Sequence, residues 1–103
     1  YQNNVFAETV VNTVNQGQTS YVFPNISDFN KIAFKYKEND FSLFVNGLKV
    51  DTDSIGTVLS ANILNKLSFR RGNGASPFYG KTKQVQVFNT ALTEAELLTL
   101  TTI

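Results

Sequence analysis

Few side chains in this sequence can do chemistry, and the absent ones set the first limits. Among 103 residues there is no His and no Cys. Ser-His and Cys-His nucleophile systems, thiolate metal sites and disulfides are therefore excluded. What remains is 8 Asp and Glu against 9 Lys and Arg. Asp51 and Asp53 alternate just past an Asn-Gly corner. Read locally they are a turn that bonds its own backbone; read as a metal site they are two carboxylates for calcium. That ion takes about six to eight oxygens, so Thr52, Ser54 and main-chain carbonyls would have to join them.

The second candidate is "RRGNGASPFY". As a plain surface loop it has glycines that satisfy turn geometry and aromatics tucked onto the core edge. As a binding loop it combines ring faces at Phe78 and Tyr79 with donors at Arg70, Arg71 and Asn73, apolar contact plus a few placed polar groups. It does not qualify as a phosphate cradle, because "GNGA" is not followed by Lys-Ser/Thr and a helix. The third candidate is Phe44, a large ring on the otherwise polar side of its strand. It is either covered by a neighbouring segment or presented as an interface to another sheet, a partner subunit or a ligand.

The net charge is +1 and the only adjacent basic pair is Arg70-Arg71, which argues against nucleic acid, since duplex affinity needs several phosphate contacts made together. No apolar run approaches the roughly 18 residues of a membrane span, so no membrane insertion is expected. With 42% hydrophobic residues, 9 Phe and 4 Tyr, the chain is expected to fold as one domain over 1–103. It opens on Tyr1 and contains no Met, which reads as a piece of a longer product.

The elements that must position these residues are mostly strands. "NVFAETVVNTVNQGQTSYVF" reads as two strands around an Asn15-Gln16-Gly17-Gln18 turn, with Pro24 ending the second. In "FNKIAFKYK", Ile32, Phe34 and Tyr36 point to a core while Lys31, Lys35 and Lys37 point to water, the alternation of an antiparallel sheet. "KEND" turns the chain into "FSLFVNGLKV". There Asn46-Gly47 suits a two-residue type I′ hairpin pairing Val45 with Leu48 and Leu43 with Val50, four apolar residues on one face. Asp51 and Asp53 then lead into a segment that leaves the sheet, anchored by Ile55, Val58, Leu59, Ile63 and Leu64. Leu67 and Phe69 mark a short strand, and Val85 and Val87 the inner positions of a last one after Gly80. "LTEAELLTL" carries a capping box, Thr93 with Glu96, and a Leu92/Leu97 staple. It predicts a helix of about two turns that needs Leu97, Leu98 and Leu100 packed on the sheet.

The ordered series "FSLFVNG", "FRRGNG", "FYGKTKQVQVFN" and "LTEAEL" resembles the C-terminal half of concanavalin A-like lectin/glucanase domains of the laminin-G and pentraxin-like kind, especially those of phage tail fibres and bacterial surface proteins. The likeness covers roughly residues 29 to 101. It implies an all-β antiparallel sandwich of jelly-roll topology with a short C-terminal helix, either a whole domain or the C-terminal part of a longer one. It also implies a binding module in a virion or at a cell surface, with a glycan as ligand on Arg70, Arg71, Asn73, Phe78 and Tyr79, and with other subunits or upstream segments as neighbours. The family's enzymes place paired carboxylates at alternating positions within a strand. No predicted strand here does so, and a glycosidase also needs one carboxyl raised by apolar surroundings. The expectation is a non-enzyme without a resident cofactor, calcium at Asp51 and Asp53 being the weaker reading. The alternative is a structural module that mediates subunit contacts and binds no free ligand.

Overall fold

A computed structural model describes residues 4–24, 28–60, 63 and 81–103. In chain order the elements are β1 Asn4–Val11, β2 Val14–Val22, β3 Ile32–Lys37, β4 Asp40–Val45, β5 Leu48–Asp53 and α1 Glu94–Thr101. They form an antiparallel β-sandwich of two sheets, β1-β2 and β3-β4-β5, with one short helix near the C-terminus.

The first hairpin turns three residues earlier than the composition suggests. Val11 pairs with Val14, so the corner is Asn12-Thr13, with φ of 52° and 64°, the left-handed pair of a type I′ turn. Asn accepts that region readily and a β-branched Thr does not. Residues 15–18, expected as the turn, lie inside β2. The reason is long-range: Gly17 is needed within the strand, where the ring of Phe41 lies against its Cα. The ladder slips between Glu8 and Val10, where Gln16 and Gly17 of β2 form a bulge opposite the single residue Thr9, which is buried. Its hydroxyl accepts from Gly17 N (3.2 Å) and donates to the carbonyl of Thr57 (3.3 Å).

The second hairpin is as the alternation predicts. Lys37 pairs with Asp40 around Glu38-Asn39, and Phe34 pairs with Leu43. In the third, Asn46 and Gly47 take φ of 51° and 84°, and Val45 faces Leu48 as expected. Leu43, however, faces Asp51 and not Val50. Val50 is extruded as a bulge, so β5 turns Asp51 and Asp53 to the same face as Leu43 and Phe41. The expected four-residue apolar patch is broken in a second way too, since Leu48 is exposed.

The core lies between the sheets. Phe23, Leu43 and Val45 are buried there, with Val5, Ala7, Tyr21, Phe34 and Val50 packed against them. Tyr21 meets Phe23 edge to face at 5.2 Å, a favoured aromatic geometry. Phe41 is also fully buried, and each such side chain contributes about 1.5–3 kcal/mol by leaving water.

α1 packs on the opposite face of β3-β4-β5. Its capping box is complete: Glu96 N donates to Thr93 Oγ1 (3.2 Å), and Thr93 N donates to Glu96 Oε1 (2.9 Å). Leu97 and Thr101 are its buried residues, while Leu98 is half-buried and Leu100 is exposed. The helix thus buries a narrower stripe than the three leucines predicted. Lys49 and Glu94 form an ion pair at one end. At the other, Lys31 Nζ donates to the carbonyl of Thr102 (2.8 Å), a cation near a helix C-terminus where the dipole favours it. Lys35, expected to face water, has a side chain only 15% exposed and pairs with Asp40 at 3.0 Å.

The last expected strand does not form. Residues 81–92 join no ladder among the described residues, and Val85 and Val87 are exposed. Strand propensity is decided by context, and an apolar alternation alone does not fix a strand. Lys83 lies over the ring of Phe29, 4.4 Å from its centroid, and ties this segment to the approach of β3. Of the expected loop anchors, Ile55 and Ile63 are exposed, and Val58 and Leu59 are half-buried. The expected strand at Leu67 and Phe69, together with Leu64 and Gly80, lies outside the described residues.

Candidate recognition surface

The interior face of β3 is covered less well than that of β4. Ile32, Phe34 and Tyr36 alternate along β3 and stand opposite Val45, Leu43 and Phe41. Among the described residues the facing sheet has two strands, and β2 lies over β5 and β4. Leu43 is 0% exposed, Phe34 is half-buried, and Tyr36 is 40% exposed. Phe34 stacks on Phe41 at 6.3 Å and on Tyr36 at 5.7 Å, with interplanar angles of 20° and 27°. The result is a series of three nearly parallel rings, from the buried Phe41 through Phe34 to the 40% exposed Tyr36. Such a series is rigid at its inner end and can offer an apolar plane with one polar group at its outer end.

The alternation places Tyr36 with Phe34 on the core side and gives no reason to set it apart. The available signal was its type: the last inward position before a polar turn carries Tyr where Phe34 precedes it, an amphipathic ring that suits a boundary between core and water.

Asp51 and Asp53 lie on β5 itself, so the alternating carboxylates expected beyond the sheet are in fact within a strand. Asp51 Oδ2 accepts from Ser20 N (2.8 Å) and Oδ1 from Thr52 N (2.9 Å). Asp53 Oδ2 accepts from Gln18 N (3.1 Å) and Oδ1 from Ile55 N (3.2 Å). Each carboxylate thus bonds a local amide, as a turn residue does, and also reaches across to an amide on the edge of β2 that β1 leaves unpaired. The two side chains stitch one sheet to the other. No group of three or more acidic side chains suited to a metal occurs among the described residues.

Phe44 is 0% exposed. It points to the face that α1 covers, opposite Lys49, whose ammonium pairs with Glu94 of that helix. It is a core residue of the helix side, not an exposed contact. Arg70, Arg71, Asn73, Phe78 and Tyr79 lie outside the described residues.

Two antiparallel sheets face to face, with a short helix closing one outer face, define a β-sandwich. The profile of the concanavalin A-like lectin/glucanases superfamily, in its laminin-G form, matches residues 2–98, and the chain belongs to that superfamily. No curated protein and no solved structure matches it significantly.

Proposed function

We propose that the chain is a non-catalytic recognition module whose ligand class is carbohydrate. The observation that carries this reading is the ring series ending at Tyr36: a tyrosine 40% exposed and stacked on Phe34, which in turn stacks on the buried Phe41. Such a ring suits the apolar side of a pyranose, with hydroxyls left for neighbouring donors. The loop holding Arg70, Arg71, Asn73, Phe78 and Tyr79 has the composition to supply such donors and further ring faces. The non-catalytic part draws support from Asp51 and Asp53, the acidic pair that alternates within a strand. Their four oxygens are each engaged by a backbone amide, so both side chains serve to hold one sheet against the other. The resemblance to phage-fibre and bacterial surface domains makes a virion or cell-surface assembly the proposed setting.

A second reading, a module that mediates contacts between subunits, is favoured by Phe6 and Val22. They are 59% and 68% exposed on neighbouring strands of the β1-β2 sheet, away from the core.

A glycan array followed by titration of the best ligand, with and without calcium, separates the two. Binding that is lost in Tyr36→Ala, Tyr79→Ala or Arg71→Ala, with the fold intact, supports the first reading. No binding to any glycan, together with self-association weakened by Phe6→Ser, supports the second.

A further inference from the structure

We propose that Asn46 is a latent site of spontaneous conversion of amide to acid, held closed by the seating of the α1 C-terminus on the Asn46-Gly47 corner. In an Asn-Gly pair the glycine nitrogen carries no neighbouring Cβ to shield it. The reaction forms a bond from Gly47 N to Asn46 Cγ and breaks the bond from Cγ to Nδ2. The amide nitrogen leaves as ammonia, taking up the proton lost from Gly47 N. One water then opens the cyclic imide, giving aspartate or iso-aspartate at this position.

Both reacting groups are restrained. Gly47 N donates to Thr101 Oγ1 at 3.2 Å, and the face of Gly47 is closed by Thr102, whose Oγ1 lies 3.3 Å from where a Cβ would stand. The Asn46 side chain is clamped at both ends: Oδ1 accepts from Lys31 N (2.9 Å) and Nδ2 donates to Asn30 Oδ1 (2.9 Å). Asn46 N donates to the carbonyl of Lys31 (2.9 Å), so the corner is fixed to the approach of β3 as well. For Gly47 N to reach Cγ, the bond to Thr101 and at least one amide clamp must break together.

The product would not refit. Aspartate loses the Nδ2 donor and sets a charged oxygen against Asn30 Oδ1. Iso-aspartate adds a backbone carbon to a two-residue turn whose length sets the pairing of Val45 with Leu48. The same contacts that seat the helix therefore also preserve the hairpin chemically, and lifting α1 exposes the corner to an irreversible change.

The test is to age the native chain at mildly alkaline pH and quantify conversion at Asn46 by peptide mapping, beside the same chain unfolded in urea. Conversion should be slower in the native chain by at least about fivefold, the factor one ordinary hydrogen bond carries. Thr101→Ala should raise the native rate by a similar factor, and Thr101→Ser, which keeps the hydroxyl, should restore it. If Thr101→Ala loses its native circular dichroism, Asn30→Ala, which removes the acceptor of Asn46 Nδ2, gives the same readout. Equal rates in native and unfolded chains would overturn the proposal. So would an unchanged rate in a folded Thr101→Ala or Asn30→Ala variant, or a failure of Thr101→Ser to restore it.

Discussion

A Cβ placed on Gly17 would stand 2.3 Å from the ring of Phe41, so β2 and β4 meet with ring against backbone. Glycine is required here by space, since no positive φ is recorded for it. Gly17→Ala should destabilise the fold by about 1–3 kcal/mol, the usual cost of overpacking. Adding Phe41→Leu should recover part of that loss, because the two positions share one contact and their effects should not add. Urea midpoints of the single and double variants measure both, and simple additivity would show that the contact is not the cause.

Asp51 and Asp53 offer a different kind of check. Each holds one amide of β2, so Asp51→Ala and Asp53→Ala should each cost about 1 kcal/mol. Hydrogen exchange at Ser20 should quicken in the first variant and at Gln18 in the second. Asp51→Asn, which keeps a carbonyl acceptor, should protect Ser20 better than Asp51→Ala does.

Phe44→Ala should cost about 3–5 kcal/mol, as expected for emptying a fully buried ring site. Phe6→Ala, on an exposed outer face, should stay within about 0.5 kcal/mol. A thermal or urea scan of the pair separates a core ring from a surface one. A silent Phe44→Ala would contradict its placement beneath α1.

The capping box gives a pH dependence with a definite sign. Glu96 is held below its ordinary value of 4.5, first by the bond from Thr93 N and then by the Thr93 hydroxyl. A lowered value in the folded chain means the carboxylate stabilises the helix. That contribution is complete above 4.5, where the unfolded chain is also ionised, and it is lost as pH falls through the lower folded value. Acidification should therefore weaken the helix signal of the native chain, and the effect should shrink in Glu96→Gln, which keeps an uncharged acceptor. Thr93→Ala should cost about 1 kcal/mol at neutral pH.

The features readable from the residues alone are those set within a few positions of one another. The alternation of Phe34 and Tyr36 with Lys35 and Lys37 marks an antiparallel strand. Asn46-Gly47 admits left-handed backbone at both corner positions, and Thr93 with Glu96 closes a helix start. Each rests on local backbone geometry and needs no distant partner. The turn at Asn12-Thr13, the bulges at Gln16-Gly17 and Val50, the burial of Phe44 and the partial exposure of Tyr36 are of another kind. Gly17 looks like a turn residue until the ring of Phe41, far along the chain, is known to lie against it. Whether an inward-facing ring is buried depends on what the opposite sheet brings to cover it, and whether Val85 and Val87 form a strand depends on pairing with a distant segment. Those are properties of surfaces that meet only when the chain is folded, and no short window of residues contains both sides of such a contact.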